Sequence, residues 1–148
     1  MRKIRLLTVI LLLSFLLSPT IIGGNKSGLE RKPVFDYIIG EPGNRVCLRL
    51  PRKADSIKAL LYCHQNMTEE VLFRSPLFTG KMDSLGVAMA FVQSGSQNWD
   101  VTEGCQERFE NIIADLAAVS GHKEIANAPV IPFGHSAQAT FPWNFVRK

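Results

Sequence analysis

Two unbroken apolar runs constrain this chain most: Ala59-Leu60-Leu61-Tyr62-Cys63 and Val87-Ala88-Met89-Ala90-Phe91-Val92. A strand with one wet face alternates polar and apolar residues, so runs without alternation predict strands covered on both faces. Between them, Ser75-Pro76 supplies an N-cap and a first helical position. Leu77, Phe78, Met82 and Leu85 follow at helical spacing, and Gly86 closes the element. Glu69-Glu70 read as the first turn of a shorter helix with Thr68 as its N-cap. Further on, Phe109, Ile112, Ile113, Leu116, Ala117 and Ser120 trace one face of a helix stopped by Gly121. Pro129 to Phe133 is a third short strand. Upstream, Arg45 to Leu50 alternates as a half-exposed strand does, after a Glu41-Pro42-Gly43-Asn44 turn and before Pro51. Strand, helix, strand, helix, strand at these intervals predicts right-handed crossovers. The fold class is therefore α/β, a mainly parallel sheet with helices on both faces. In such sheets ligands bind beyond the carboxyl ends of the strands. Three segments then share one rim: Cys63 to Thr68, Gln93 to Asp100, and the turn after Phe133.

The opening of the chain has a different character. Arg2, Lys3 and Arg5 precede an almost unbroken apolar run from Leu6 to Leu17, and Ser18-Pro19-Thr20 and Gly23-Gly24 follow. This is the form of a secretory signal peptide over residues 1–24, which predicts a secreted or periplasmic product. The competing reading is an uncleaved anchor, because Ile21 and Ile22 extend the apolar stretch. Under the signal-peptide reading the membrane is a partner only during export, and residues 25–148 form the folded part. Removing the three basic residues of the head leaves 14 Lys+Arg against 13 Asp+Glu. A net charge near +1 gives no reason to expect nucleic acid as a partner. Cys47, Cys63 and Cys105 suit an oxidising compartment if one pair bridges and one thiol is left over or pairs elsewhere. Their spacing does not fit a metal site, and no cofactor is implied.

The third strand leads into Gly134-His135-Ser136-Ala137. A short apolar strand followed by a turn of small residues around a serine is the layout of a nucleophile elbow. Serine is a poor nucleophile until a base takes its proton and N–H donors hold the oxyanion. The elbow offers the N–H of Ala137. The second donor in such sites comes from the loop after an earlier strand, here Cys63-His64-Gln65-Asn66-Met67-Thr68, with Asn66 or Met67 as the donor. His64, Trp99 and Gln138 complete the expected substrate rim. Gln138 stands where the G-x-S-x-G pattern has its last glycine.

With these residues the chain resembles the α/β-hydrolase superfamily, and in particular its secreted serine esterases, such as feruloyl or acetyl-xylan esterases and polyester depolymerases. The resemblance is carried by Gly134 to Ala137, the His64 loop, Asp83 to Val92, and Ser120-Gly121-His122 before Ala128-Pro129. It implies the N-terminal portion of an α/β-hydrolase fold, incomplete in residues 25–148. It also implies hydrolysis of carboxylic esters, small or polysaccharide-linked, through an acyl-enzyme on Ser136. In that superfamily the acid and the histidine follow the serine along the chain. The twelve residues after Ser136 contain no Asp, Glu or His, so the chain as given is expected to be inactive. The alternative is a non-catalytic fragment or binding module that keeps the rim without the triad.

Overall fold

The computed structural model describes residues 32–52, 54–94 and 104–139. The expected signal peptide and Trp99 lie outside the described residues. Among the described residues five strands form one sheet: β1 (Tyr37–Ile39), β2 (Asn44–Arg49), β3 (Ala59–His64), β4 (Val87–Ser94) and β5 (Val130–Phe133), in the order β1-β2-β4-β3-β5. Three α-helices accompany them: α1 (Met67–Arg74), α2 (Pro76–Leu85) and α3 (Cys105–Ser120). None of the described helices is long and apolar enough to cross a membrane.

The sheet is mixed. β3 pairs in parallel with β4 on one side and β5 on the other, whereas β1–β2 and β2–β4 are antiparallel. The expectation of a mainly parallel sheet holds for its inner part and is corrected at the β1–β2 end. There a tight turn through Gly40 and Gly43, both at positive φ, reverses the chain into a hairpin. Antiparallel neighbours need only such a turn, while parallel ones need a crossover.

β3 is the strand at which the winding reverses. The chain leaves it for β4 through α1 and α2, then passes back over it through α3 to reach β5. Crossovers of one hand that run in opposite directions put their helices on opposite faces. Two separate cores result. Leu60, Tyr62, Ala88, Ala90 and Val92 pack under Ile113, Leu116 and Ala117 of α3. The alternate residues Leu61, Cys63, Val87, Met89 and Phe91 pack under Phe73, Phe78 and Met82 of α1 and α2. The two apolar runs have no polar positions because both of their faces are occupied.

Local chemistry ends the helices where the sequence suggests. The Ser75 hydroxyl accepts the Phe78 N–H at 3.3 Å, Pro76 is the first residue of α2, and Gly86 at φ 72° donates its N–H to the Asp83 carbonyl. Helix α1 begins earlier than expected, with Asn66 and not Thr68 as N-cap. The three cysteines are free thiols, with Cys47 and Cys63 buried on strands separated by β4, so no bridge forms between that pair.

Among the described residues β5 pairs only with β3, and Ile131 is 45% exposed on it. An apolar edge strand is a template for association. The chain is therefore expected to self-associate through β5, and Ile131→Lys to shift its sedimentation profile towards monomer. An unchanged profile would place the association elsewhere.

Candidate functional site

Parallel pairing of β3 and β5 brings the two segments of interest together. The register sets Leu60 against Val130 and Cys63 against Phe133. Carried past the strand ends, the same register puts the His64 to Met67 segment beside Gly134 to Ala137. Gln65 still belongs to the sheet through its N–H to the Val92 carbonyl, and Asn66 is the first residue beyond it.

Ser136 has φ 55°, and no other described residue apart from glycine has positive φ. A left-handed conformation is costly for a residue with a Cβ and persists where surrounding contacts enforce it. The turn around it is tight. A Cβ at Gly134 would lie 2.1 Å from the carbonyl oxygen of Gln138 and 2.7 Å from its carbon, so only glycine fits. The Gln138 N–H donates to the His135 carbonyl at 3.1 Å, and Ser136–Ala139 form a single 3-10 turn. Ser136 and Ala137 are exposed, while Gln138, two residues past the serine, is half-buried.

The start of α1 holds this turn. The Asn66 side chain accepts the Met67 N–H at 2.8 Å through Oδ1 and donates to the His135 carbonyl at 2.8 Å through Nδ2. Thr68 Oγ1 is 3.2 Å from His135 Nδ1. Glu69, fully buried, accepts the His135 N–H at 2.5 Å. Of the two candidates for the oxyanion donor expected from this loop, the Met67 N–H is thus committed to the Asn66 side chain. The Asn66 N–H has no acceptor among the described residues.

The three histidines occupy separate places. His64, expected on the rim, is 2% exposed and therefore lies below it. It is the last residue of β3 and shares the α3 face with Tyr62, whose ring it meets edge-on at 5.7 Å. Burial lowers its pKa to about 3, so the ring is neutral at physiological pH. His122 lies just past the glycine that ends α3. It is 3.0 Å from Glu124 at the end of α3. That end feeds the start of β5, so His122 is separated from the Ser136 turn by a four-residue strand, about 13 Å at ~3.3 Å per residue. His135 lies in the turn itself, next to Ser136. It is exposed, and its Nδ1 faces Thr68. None of the three is set to take a proton from Ser136.

Two groups escaped the sequence reading. Glu69 looks like an ordinary first-turn acid, and nothing local shows that it reaches a residue 66 positions away. Asn66 was expected to offer only its backbone N–H, yet its side chain caps α1 through Oδ1 and holds the His135 carbonyl through Nδ2. Among the described residues no group of three His, Cys, Asp or Glu is arranged to hold a metal ion. The chain matches no protein-family description, no curated protein and no solved structure. The functional reading therefore rests on the geometry of this turn.

Proposed function

We propose that the chain carries the nucleophile and oxyanion half of an exported serine hydrolase acting on carboxylic esters, within an α/β-hydrolase type of sheet. The observation that carries this reading is the left-handed backbone of Ser136, exposed on a glycine-dependent turn at the carboxyl end of a parallel strand. In such an elbow the hydroxyl is offered above the sheet, with the following N–H pointing to the same space. Asn66 supplies the second oxyanion donor from the neighbouring loop. Ser136 Oγ would attack the ester carbonyl carbon and give its proton to the base that completes such a site; the C=O electrons would move onto the oxygen and return as the C–O bond breaks, and the alcohol would leave with that proton. The acyl-enzyme is then released by water. The substrate class, small-molecule or polysaccharide-linked esters, and the secreted or periplasmic setting come from the resemblance and from residues 1–24. No metal or cofactor takes part in this reading.

The placement of the histidines favours a second reading, a binding module that keeps the rim and lacks the base. One variant separates the two. A thiol ionises without help and is intrinsically more nucleophilic than an alcohol, so Ser136→Cys removes the need for a histidine. With an oxyanion hole in place, 4-nitrophenyl acetate should acylate that variant stoichiometrically at position 136, ~10²-fold faster than it acylates glutathione at the same pH. The unsubstituted chain should release nitrophenol no faster than Ser136→Ala, because none of its three histidines is placed to take the serine proton. A variant thiol no faster than glutathione would leave the binding-module reading.

A further inference from the structure

Glu69 and Glu70 are neighbouring acids in the first turn of α1, and their surroundings differ completely. Glu70 is partly exposed and pairs with Arg74 one turn further along. Glu69 is fully buried, and no Lys, Arg or His among the described residues makes a salt bridge with it. Its Oε1 accepts the His135 N–H, while its Oε2 has no partner among the described residues. Burying a carboxylate without a counter-charge is unfavourable, and a hydrogen bond to the charged group offsets only part of that cost. A stability role alone would be served better by an apolar residue at this position.

What the carboxylate holds is the Gly134–His135 peptide group, the one before the peptide that enters Ser136. Asn66 Nδ2 holds the carbonyl on the other side of His135, and Thr68 lies against its ring. With both peptide groups of His135 fixed from α1, the plane entering Ser136 is fixed too, and the Gln138 N–H on the His135 carbonyl closes the turn in which Ser136 is left-handed. We infer that Glu69 is a positioning residue for Ser136, fixing the turn that presents the hydroxyl to an ester. Its chemical consequence rests on the hydrolase reading above; its effect on the turn does not.

The test uses the full chain with Glu69→Met, which keeps volume and removes the acceptor, and Glu69→Gln, whose amide oxygen still accepts an N–H. Two quantities are followed: hydrogen exchange of the His135 amide, and acyl transfer to the thiol of Ser136→Cys. Unsubstituted chain should show slow His135 exchange although that residue is exposed. Glu69→Met should speed it ~100-fold, the scale of a hydrogen bond to a charged group, with the β3 and β4 amides unchanged. Acyl transfer should fall ~10-fold or more through misplacement of the nucleophile. Glu69→Gln should restore both.

His135 exchange that ignores Glu69→Met, or that rises together with the core amides, overturns the inference. Fast His135 exchange in the unsubstituted chain does so without needing any variant at Glu69 to fold. If exchange responds while acyl transfer never exceeds that to glutathione, the clamp stands and the hydrolase reading falls. Rapid acyl transfer that is unaffected by Glu69→Met removes Glu69 from the mechanism and leaves the hydrolase reading intact.

Discussion

Asp83→Ala is expected to lower stability by ~3–5 kcal/mol, enough to unfold much of the population when a whole domain has only ~5–15 kcal/mol. The Asp83 carboxylate takes both arms of the Arg49 guanidinium, at 2.7 and 2.9 Å, and also the Arg52 N–H at 3.0 Å. Arg49 is 7% exposed and Asp83 6%, so removing the acid strands a buried cation. The pair ties the end of β2 to α2, two elements that have no sheet contact with each other. Replacing both partners with leucine should recover most of the loss, because it is the unpaired charge that is costly. Urea unfolding of the single and double variants measures the difference; equal losses in both would mean that shape and not charge sets the penalty.

The same pair fixes a pH dependence. The Arg49 guanidinium, with help from the Arg52 N–H, holds the Asp83 carboxyl below its ordinary pKa. A folded-state pKa below the unfolded value of about 3.9 means that the unfolded chain binds the proton first. The contribution is thus fully present above about pH 4 and is lost as pH falls through the depressed folded value. Melting temperature followed from pH 6 downward should drop more steeply in the native chain than in the Arg49→Leu, Asp83→Leu pair. Parallel curves would assign the acid sensitivity to other carboxylates.

The second large effect concerns Gly134. Adding a single methyl group there, with Gly134→Ala, places a carbon 2.1 Å from a backbone oxygen that has no rotamer through which to escape. The turn must open, and Ser136 then loses the contacts that keep it at positive φ. A nucleophile displaced by about 1 Å loses ~10²-fold in rate. In the Ser136→Cys chain, Gly134→Ala should therefore reduce acyl transfer by at least that factor while leaving the far-ultraviolet dichroism in place. Retained acyl transfer would show that the turn tolerates relaxation and that the strain is incidental.

Much of the scaffold was legible because it depends on local chemistry. Ser75, Pro76 and Gly86 bracket α2 through interactions within a few residues, and the uninterrupted apolar runs of β3 and β4 follow from helices on both faces. The strand β1 went unread because Tyr37-Ile38-Ile39 is only three residues long, too short for its alternation to show. His64 was placed on the rim because the apolar run ends at Cys63. In fact β3 extends one residue further, and alternation then turns that ring inward beside Tyr62. The tight turn at Ser136 was legible as Gly-x-Ser after a short strand. Its left-handed serine was not, since positive φ at a residue with a Cβ has no composition signal. Glu69 was read as a helix-start acid because the bond that distinguishes it spans 66 positions and exists only after β3 and β5 have met.

The position of β3 between β4 and β5 also governs the order in which the molecule can assemble. The β1–β2 hairpin joins residues about ten positions apart, and β3–β4 joins residues about 28 apart, whereas β3–β5 pairs Leu60 with Val130 across 70. Closing the longest loop has the greatest entropic cost and is rewarded only once a partner edge exists. Residues 59–94 can organise first, leaving one side of β3 open until β5 arrives. The clamp from α1 onto His135 can form only at that last step. During synthesis the serine therefore emerges in a relaxed backbone, and docking of β5 against β3 brings it to its left-handed form.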